Sequence, residues 1–245
     1  MQQGQYSPDG RWWWDGASWR PVAPPGGPPT GGRPGLFWFF SAPGWAGPFF
    51  LTGLILFLPV VGQMVLLGWY LAARDTLRSG WRLVPQAGFQ HLERGVAPWV
   101  ASLVYGLYLL PVYLLLGAGL VVAAVNQSGV AIALLAVVLG LFWLASTVTL
   151  GFLSGALFDV ADAEGIGAAI DPRRVWAAAT ADARTSWRVF GALVLGGFVY
   201  LAVAVPISFF VPFGALILTL GVPGIYLMAA PAQADLDRDR AAMSG

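Results

Sequence analysis

"WVASLVYGLYLLPVYLLLGAGLVVAAVNQSGVAIALLAVVLGLFWLASTVTLGFLSGAL", residues 99–157, holds two long apolar runs either side of one polar interruption, Asn126-Gln127-Ser128-Gly129. No Asp, Glu, Arg, Lys or His occurs anywhere in this stretch. A helix crosses the hydrocarbon core of a bilayer with about 20 apolar residues. Each run is long enough for one crossing, and the polar interruption is too short for anything but a reversal. The stretch therefore predicts two antiparallel membrane helices, Trp99 to Val125 and Val130 to about Leu157.

The rest of the chain agrees with this reading. It is 58% hydrophobic and only 10% charged, with mean hydropathy +0.71, where a soluble domain carries about 25% charged residues. Net charge is +1, so no bulk field draws nucleic acid or acidic substrates. All basic residues are arginine, and with so much Ala, Gly, Pro and Val this points to a GC-rich bacterial source. Cysteine is absent, which excludes disulfides, iron–sulfur clusters and thiolate zinc sites.

Three further apolar blocks follow the same logic. The first, Trp45 to Ala73, is interrupted by Pro59 and Gly62. The fourth runs from Val189 to about Val211, and the fifth from Phe213 to about Ala230. The expected fold is an all-α integral membrane bundle of about five to six segments, the first broken at Pro59. Trp45, Trp69, Trp99 and Trp187 lie near block ends, where aromatics favour the headgroup layer. No signal-peptide pattern precedes the first block, which is expected to act as an uncleaved membrane signal.

Arginine sets the expected orientation. Arg74, Arg78, Arg82 and Arg94 fall between blocks one and two; Arg173, Arg174, Arg184 and Arg188 fall between blocks three and four. Both loops and the tail from residue 232 to 245 should be cytoplasmic in a bacterial cell membrane. Arg11, Arg20 and Arg33 pull the N-terminal tail inside too, which makes block one a re-entrant hairpin; the alternative is one kinked crossing with the tail outside. Pro85 precedes Phe89 as Pro172 precedes Trp176, and each pair leads into a crossing that starts near a tryptophan. This spacing suggests a parallel duplication in which each loop forms an amphipathic interfacial helix. Asp171-Pro172 supplies a capping carboxylate and a first-turn proline for the second, expected over Val175 to Ser186.

The N-terminus differs in kind. Residues 1–22 contain "RWWWDGASW", with Asp15-Gly16 suited to a two-residue hairpin turn. That turn pairs Trp14 with Ala17, Trp13 with Ser18 and Trp12 with Trp19, and sets Trp12, Trp14 and Trp19 on one face beside Arg11 and Arg20. Tryptophan and arginine are the types most enriched in binding hot spots, so these five residues form the expected interaction surface. Residues 23–35 read as a Pro/Gly linker, and residues 36–231 as the membrane domain.

The stretch "LGWYLAARDTLRSGWRLVPQAGFQHLERGVAPWVASLVYG" resembles the bacterial and archaeal multi-pass membrane family called domain of unknown function 4013. Gly68, Tyr70, Pro85, Phe89, Gly95 and Tyr105 fill positions comparable to its motifs, and "GALFDVADAEGIGAAIDPRRVW" is similar to its second half. The chain departs from the family at Gln86-Ala87-Gly88, where members often carry Trp-Asp-Asp. The resemblance covers about residues 45–232 and implies a membrane fold without an activity. "RWWWDGASW" resembles the Trp-Trp-Asp-Gly core of a short module attached to actinobacterial membrane proteins.

Chemistry-bearing clusters are sparse. His91 is the sole histidine; with Glu93 and Glu164 it could ligate a metal, but a metal site wants three or four convergent ligands, and a solvated loop position is the simpler reading. Asp159, Asp162 and Glu164 could receive a cation or form a solvated loop face, the latter being preferred. Ser102, Tyr105, Ser146, Thr147, Thr149 and Ser208 supply the intramembrane polarity. Gly151 and Gly155 form a small-x-x-x-small pair for close helix packing or dimerisation. The expectation is a non-enzymatic membrane scaffold or accessory protein without a cofactor. Its partners would be the lipid bilayer, other membrane proteins or a second copy. A channel or facilitator with helices broken at Pro59, Pro111 and Pro206 is the alternative, distinguished by a continuous polar path through Tyr105, Thr147 and Ser208. A membrane-embedded enzyme is third.

Overall fold

The computed structural model describes the backbone of residues 12–14, 19–21, 34–210 and 214–243, and the side chains of 34–203 and 219–234. The chain divides into two units, Met1–Arg33 and Pro34–Gly245. In the first, β1 (Trp12–Trp14) pairs antiparallel with β2 (Trp19–Pro21). The register joins Trp14 to Trp19, Trp13 to Arg20 and Trp12 to Pro21, not the pairing expected from a two-residue turn at Asp15-Gly16. A physical reason is available: that turn needs positive φ at both central positions, whereas a four-residue connection can be built around an ordinary type I turn. Linker residues 23–33 and Arg11 lie outside the described residues, as do the side chains of the other four residues expected to bind.

The second unit is helical among its described residues. Its elements are α1 (Ala46–Ile55), α2 (Pro59–Arg78), α3 (Leu92–Val125), α4 (Gly129–Glu164), α5 (Ile166–Ala169), α6 (Pro172–Ala181), α7 (Ala183–Phe210) and α8 (Gly214–Met243). Among the described residues, three stretches have the length and composition to cross a membrane: Phe89–Val125, Gly129–Glu164 and Ala183–Val203. Block one is broken where expected. Leu58 is extended (φ −88°, ψ 100°), as the residue before a proline prefers, and Pro59 opens α2 where its missing N–H costs nothing. The turn between α3 and α4 closes with Gln127 at φ 53°.

With 34 and 36 residues, α3 and α4 are about 50 Å long at the 1.5 Å rise of a helix. Both outrun the hydrocarbon core. Near the Asn126-Gln127 turn, Leu115, Val125, Val130 and Leu134 are exposed, as lipid-facing side chains would be. The buried core gathers at the opposite end of the pair, where Trp69, Tyr70 and Leu71 meet Leu157, Val160, Val175 and Leu227. Close backbone approach builds it: a Cβ on Gly68 would collide with the His91 carbonyl, and one on Gly95 with that of Met64. On the other side, Gly53 of α1 meets the Leu220 backbone of α8 at 2.8 Å from its ideal Cβ position.

Several expectations are corrected. Trp69 offers no ring to a surrounding headgroup layer: it is fully buried, and its indole donates to the Pro85 carbonyl at 2.9 Å. Residues 81–87 form no amphipathic helix; they run without regular structure until a 3-10 turn at Phe89–His91 leads directly into α3. Val175 to Ser186 is not one helix. Asp182 (φ −133°, ψ 67°) ends α6 and its carboxylate accepts from the Thr185 N–H at 3.1 Å, so it caps a new helix instead of continuing the old one. The buried face of α6 is Val175 and Ala179, while Trp176 is exposed. Finally, α8 does not stop near Ala230: it runs through Pro231, and Gln233 and Ala234 are buried.

Candidate functional site

Arg74, Asp75 and Arg78 occupy the last turn and a half of α2, Arg94 the first turn of α3, and Asp159 and Asp162 the end of α4. These ends meet. Arg74 donates from Nη1 to Asp159, from Nη2 to Asp162 Oδ2 at 2.6 Å and from Nε to Asp75 Oδ1 at 3.1 Å. Arg94 grips Asp162 bidentately, Nε to Oδ1 at 2.7 Å and Nη2 to Oδ2 at 2.6 Å, and reaches Asp75 Oδ2 at 2.5 Å. Arg78 approaches Asp75 at 3.4 Å and Asp159 at 3.3 Å. Among the described residues, three guanidiniums thus face three carboxylates across three helices.

Burial makes this cluster consequential. Arg74 is 2% exposed. Burial works against its charge, but Asp159, Asp75 and Asp162 more than offset that, so the guanidinium holds its proton more tightly than usual. A bidentate arginine–carboxylate pair is directional as well as strong, so Arg94 and Asp162 fix the relative rotation of α3 and α4.

A neutral amide extends the cluster to a fourth helix. Gln233 of α8 donates to the Gly155 carbonyl at 2.9 Å and to Asp159 Oδ1 at 3.1 Å, and its carbonyl accepts from the Tyr70 hydroxyl. Both Gln233 and Tyr70 are buried, and a buried polar group left without a partner costs about 1–3 kcal/mol. The hydrogen bonds named for Gln233 all leave its own helix, two to α4 and one to α2.

Asp159 and Asp162 are therefore not a solvated loop face. They are ion-paired within the bundle: arginine holds Asp159 Oδ1 and both oxygens of Asp162. Only Glu164 is exposed, 3.2 Å from Arg174. His91 lies near the surface with Nε2 2.8 Å from the Gln86 carbonyl. Among the described residues no three His, Asp or Glu side chains are grouped to hold a metal ion.

Gly151 and Gly155 face α7 within the chain's own bundle, Gly151 against the Phe190 ring and Gly155 against Val189. Of the intramembrane polar groups, Tyr105 and Ser146 are buried while Thr147 and Thr149 are exposed on the outer surface of α4. Ser102 bonds the Pro98 carbonyl of its own helix at 2.7 Å.

The family model described as "Protein of unknown function (DUF4013)" matches residues 51–232. That range contains α2 to α7 and ends one residue before Gln233. No curated protein and no solved structure matches the chain.

Proposed function

The chain belongs to this uncharacterised family, and on that premise we propose that it is a non-enzymatic scaffold or accessory protein of a bacterial cytoplasmic membrane, with its N-terminal unit as the interaction module. The observation that carries this reading is the closed ionic cluster. The charged groups drawn into the bundle are paired with opposite charges on other helices, which is how an assembly holds its helices in place. A carrier or enzyme would instead keep such groups directed at a substrate path.

The facilitator reading requires a polar path through Tyr105, Thr147 and Ser208. Tyr105 is buried and Thr147 is exposed on the outer surface, so these two do not support a shared lumen. In the proposed topology five to six segments enter the membrane, block one as a hairpin bent before Pro59. The arginine-bearing ends and the C-terminus face the cytoplasm, following the positive-inside rule. The test is deletion of residues 1–22 in the full chain, followed by membrane fractionation and crosslinking in native membranes. The reading expects insertion to persist and crosslinked partners to disappear; an unchanged partner set would sink it.

A further inference from the structure

Four aromatic side chains from three helices form one row on the surface of the bundle. Phe152 of α4 lies between Trp176 of α6, at 6.1 Å between ring centroids, and Trp187 of α7, at 5.1 Å. Phe190 continues the row 5.7 Å from Trp187, its ring seated where Gly151 leaves room. Both tryptophans are about half exposed although each has a ring partner. The row is therefore anchored on one side and open on the other.

Arginine borders it. Arg173 precedes Trp176 by three residues on α6, and Arg184 precedes Trp187 by three on α7, a spacing that sets each pair on one helix face. Arg188 follows Arg184 by four and shares that face. Here Arg173, Arg174, Arg184 and Arg188 stand beside three carboxylates, Glu164, Asp171 and Asp182. Each of those carboxylates already accepts: Glu164 from Arg174 at 3.2 Å, Asp171 from the Arg173 N–H and Asp182 from the Thr185 N–H. The other α4 carboxylates, Asp159 and Asp162, are held by arginines of α2 and α3. Among the described residues, the guanidiniums of Arg173, Arg184 and Arg188 have no carboxylate within 4.0 Å.

Phe152 lies twenty-three residues beyond Gly129 along α4, about 34 Å at 1.5 Å per residue. A hydrocarbon core is about 30 Å thick. In the proposed membrane placement, with the Asn126-Gln127 turn at one surface, the aromatic row meets the opposite edge of the hydrocarbon, where tryptophan concentrates. Arg184 lies about one turn outward of Trp187 along α7, toward the phosphates.

We infer that this face binds an anionic phospholipid of the surrounding leaflet, its phosphate against Arg184 and Arg188 and its upper acyl chain along Trp187 and Phe190. The inference rests on the membrane placement proposed above and not on the scaffold role. A guanidinium fork matches phosphate oxygens two at a time, and these two forks are not taken up by a neighbouring acid. A zwitterionic lipid brings an ammonium with its phosphate, and that ammonium meets carboxylates already engaged. An anionic headgroup brings no such cation.

The test uses the full-length protein, purified in mild detergent micelles doped with equal amounts of phosphatidylglycerol and phosphatidylcholine. Native mass spectrometry then counts the lipid retained. The wild type should prefer phosphatidylglycerol by about twentyfold, about fivefold from each of Arg184 and Arg188. Arg184→Gln with Arg188→Gln should retain the two lipids about equally. Arg11→Gln with Arg20→Gln, which removes the same charge from the N-terminal unit, should keep the preference within about twofold of the wild type. Millimolar inorganic phosphate should leave the lipid in place. If the double variant at 184 and 188 does not fold, the two single variants decide, each losing about fivefold. Circular dichroism and membrane fractionation of every variant report fold and insertion, so a failure of the membrane placement is distinct from a loss of lipid choice. Equal retention by the wild type, an unchanged preference in the folded variants at 184 and 188, an equal loss in the N-terminal variant, or displacement by inorganic phosphate would overturn the assignment.

Discussion

Replacing Arg74 with methionine keeps most of the aliphatic stem and removes the charge at the centre of the cluster. Breaking a buried ion pair by deleting one partner costs about 3–5 kcal/mol, because a charge is left behind in a poor dielectric. Here the stranded groups are Asp159 and Asp162, whose side chains are 16% and 17% exposed. Arg78 and Arg94 remain beside them, so the expected loss falls below that range, about 2–3 kcal/mol. The same reasoning makes a second claim. Asp159→Asn removes one stranded carboxylate, so the double variant should be more stable than the sum of the single losses implies, by about 1 kcal/mol or more. Reversible unfolding in mixed micelles can be followed by fluorescence of the twelve tryptophans. A loss below about 0.5 kcal/mol for Arg74→Met, or additivity of the two substitutions within about 0.5 kcal/mol, would refute the argument.

Other expected outcomes rest on separate contacts. Gly95→Ala places a methyl on the Met64 carbonyl and should cost about 1–3 kcal/mol, whereas Gly106→Ala, with open space around it, should be neutral or gain about 0.5–1 kcal/mol from helix propensity; thermal melts of the two variants side by side check this. Gln233→Leu strands the Tyr70 hydroxyl and should lose about 1–3 kcal/mol, the part due to that hydroxyl being recovered by adding Tyr70→Phe, as measured by the same micelle unfolding. In this cysteine-free chain, single cysteines at Ser79, Ser128 and Ser244 report sidedness: an impermeant thiol reagent should reach only position 128 from outside intact cells, and outside labelling at 79 and 244 would reverse the proposed topology.

Much of the helical scaffold was legible because its signals are local. Apolar runs longer than a bilayer mark α3 and α4, Pro59 breaks block one through its effect on Leu58, and Asp171-Pro172 starts α6 with the carboxylate accepting the Arg173 N–H at 2.9 Å. At Arg74 and Pro231 the misreading has one source, residues near a helix end read as lying beyond it. Arg74 looks like the first charge after an apolar block, yet its helix continues to Arg78 and carries it into the core. Pro231 looks like a stop, yet α8 passes through it and presents Gln233 to two other helices, α2 and α4. Asp182 looks like one more polar residue on an amphipathic face, yet its own carboxylate caps the next helix.

The ionic cluster itself joins residues up to 88 positions apart, beyond any local window, but a count from the turn could have found it. Arg94 lies thirty-two residues before Asn126, and Asp162 thirty-four after Ser128. Two antiparallel helices leaving one tight turn rise at the same 1.5 Å per residue, so residues at nearly equal distance from the turn come level. Arg94 and Asp162 are opposite charges at nearly equal distance, and they form the bidentate pair. The same count fits the absence of charge nearer the turn: about 20 residues on each side suffice for a hydrocarbon core, and the paired charges lie beyond that length. Helix length thus sets how far along the α3–α4 pair the charged cluster begins.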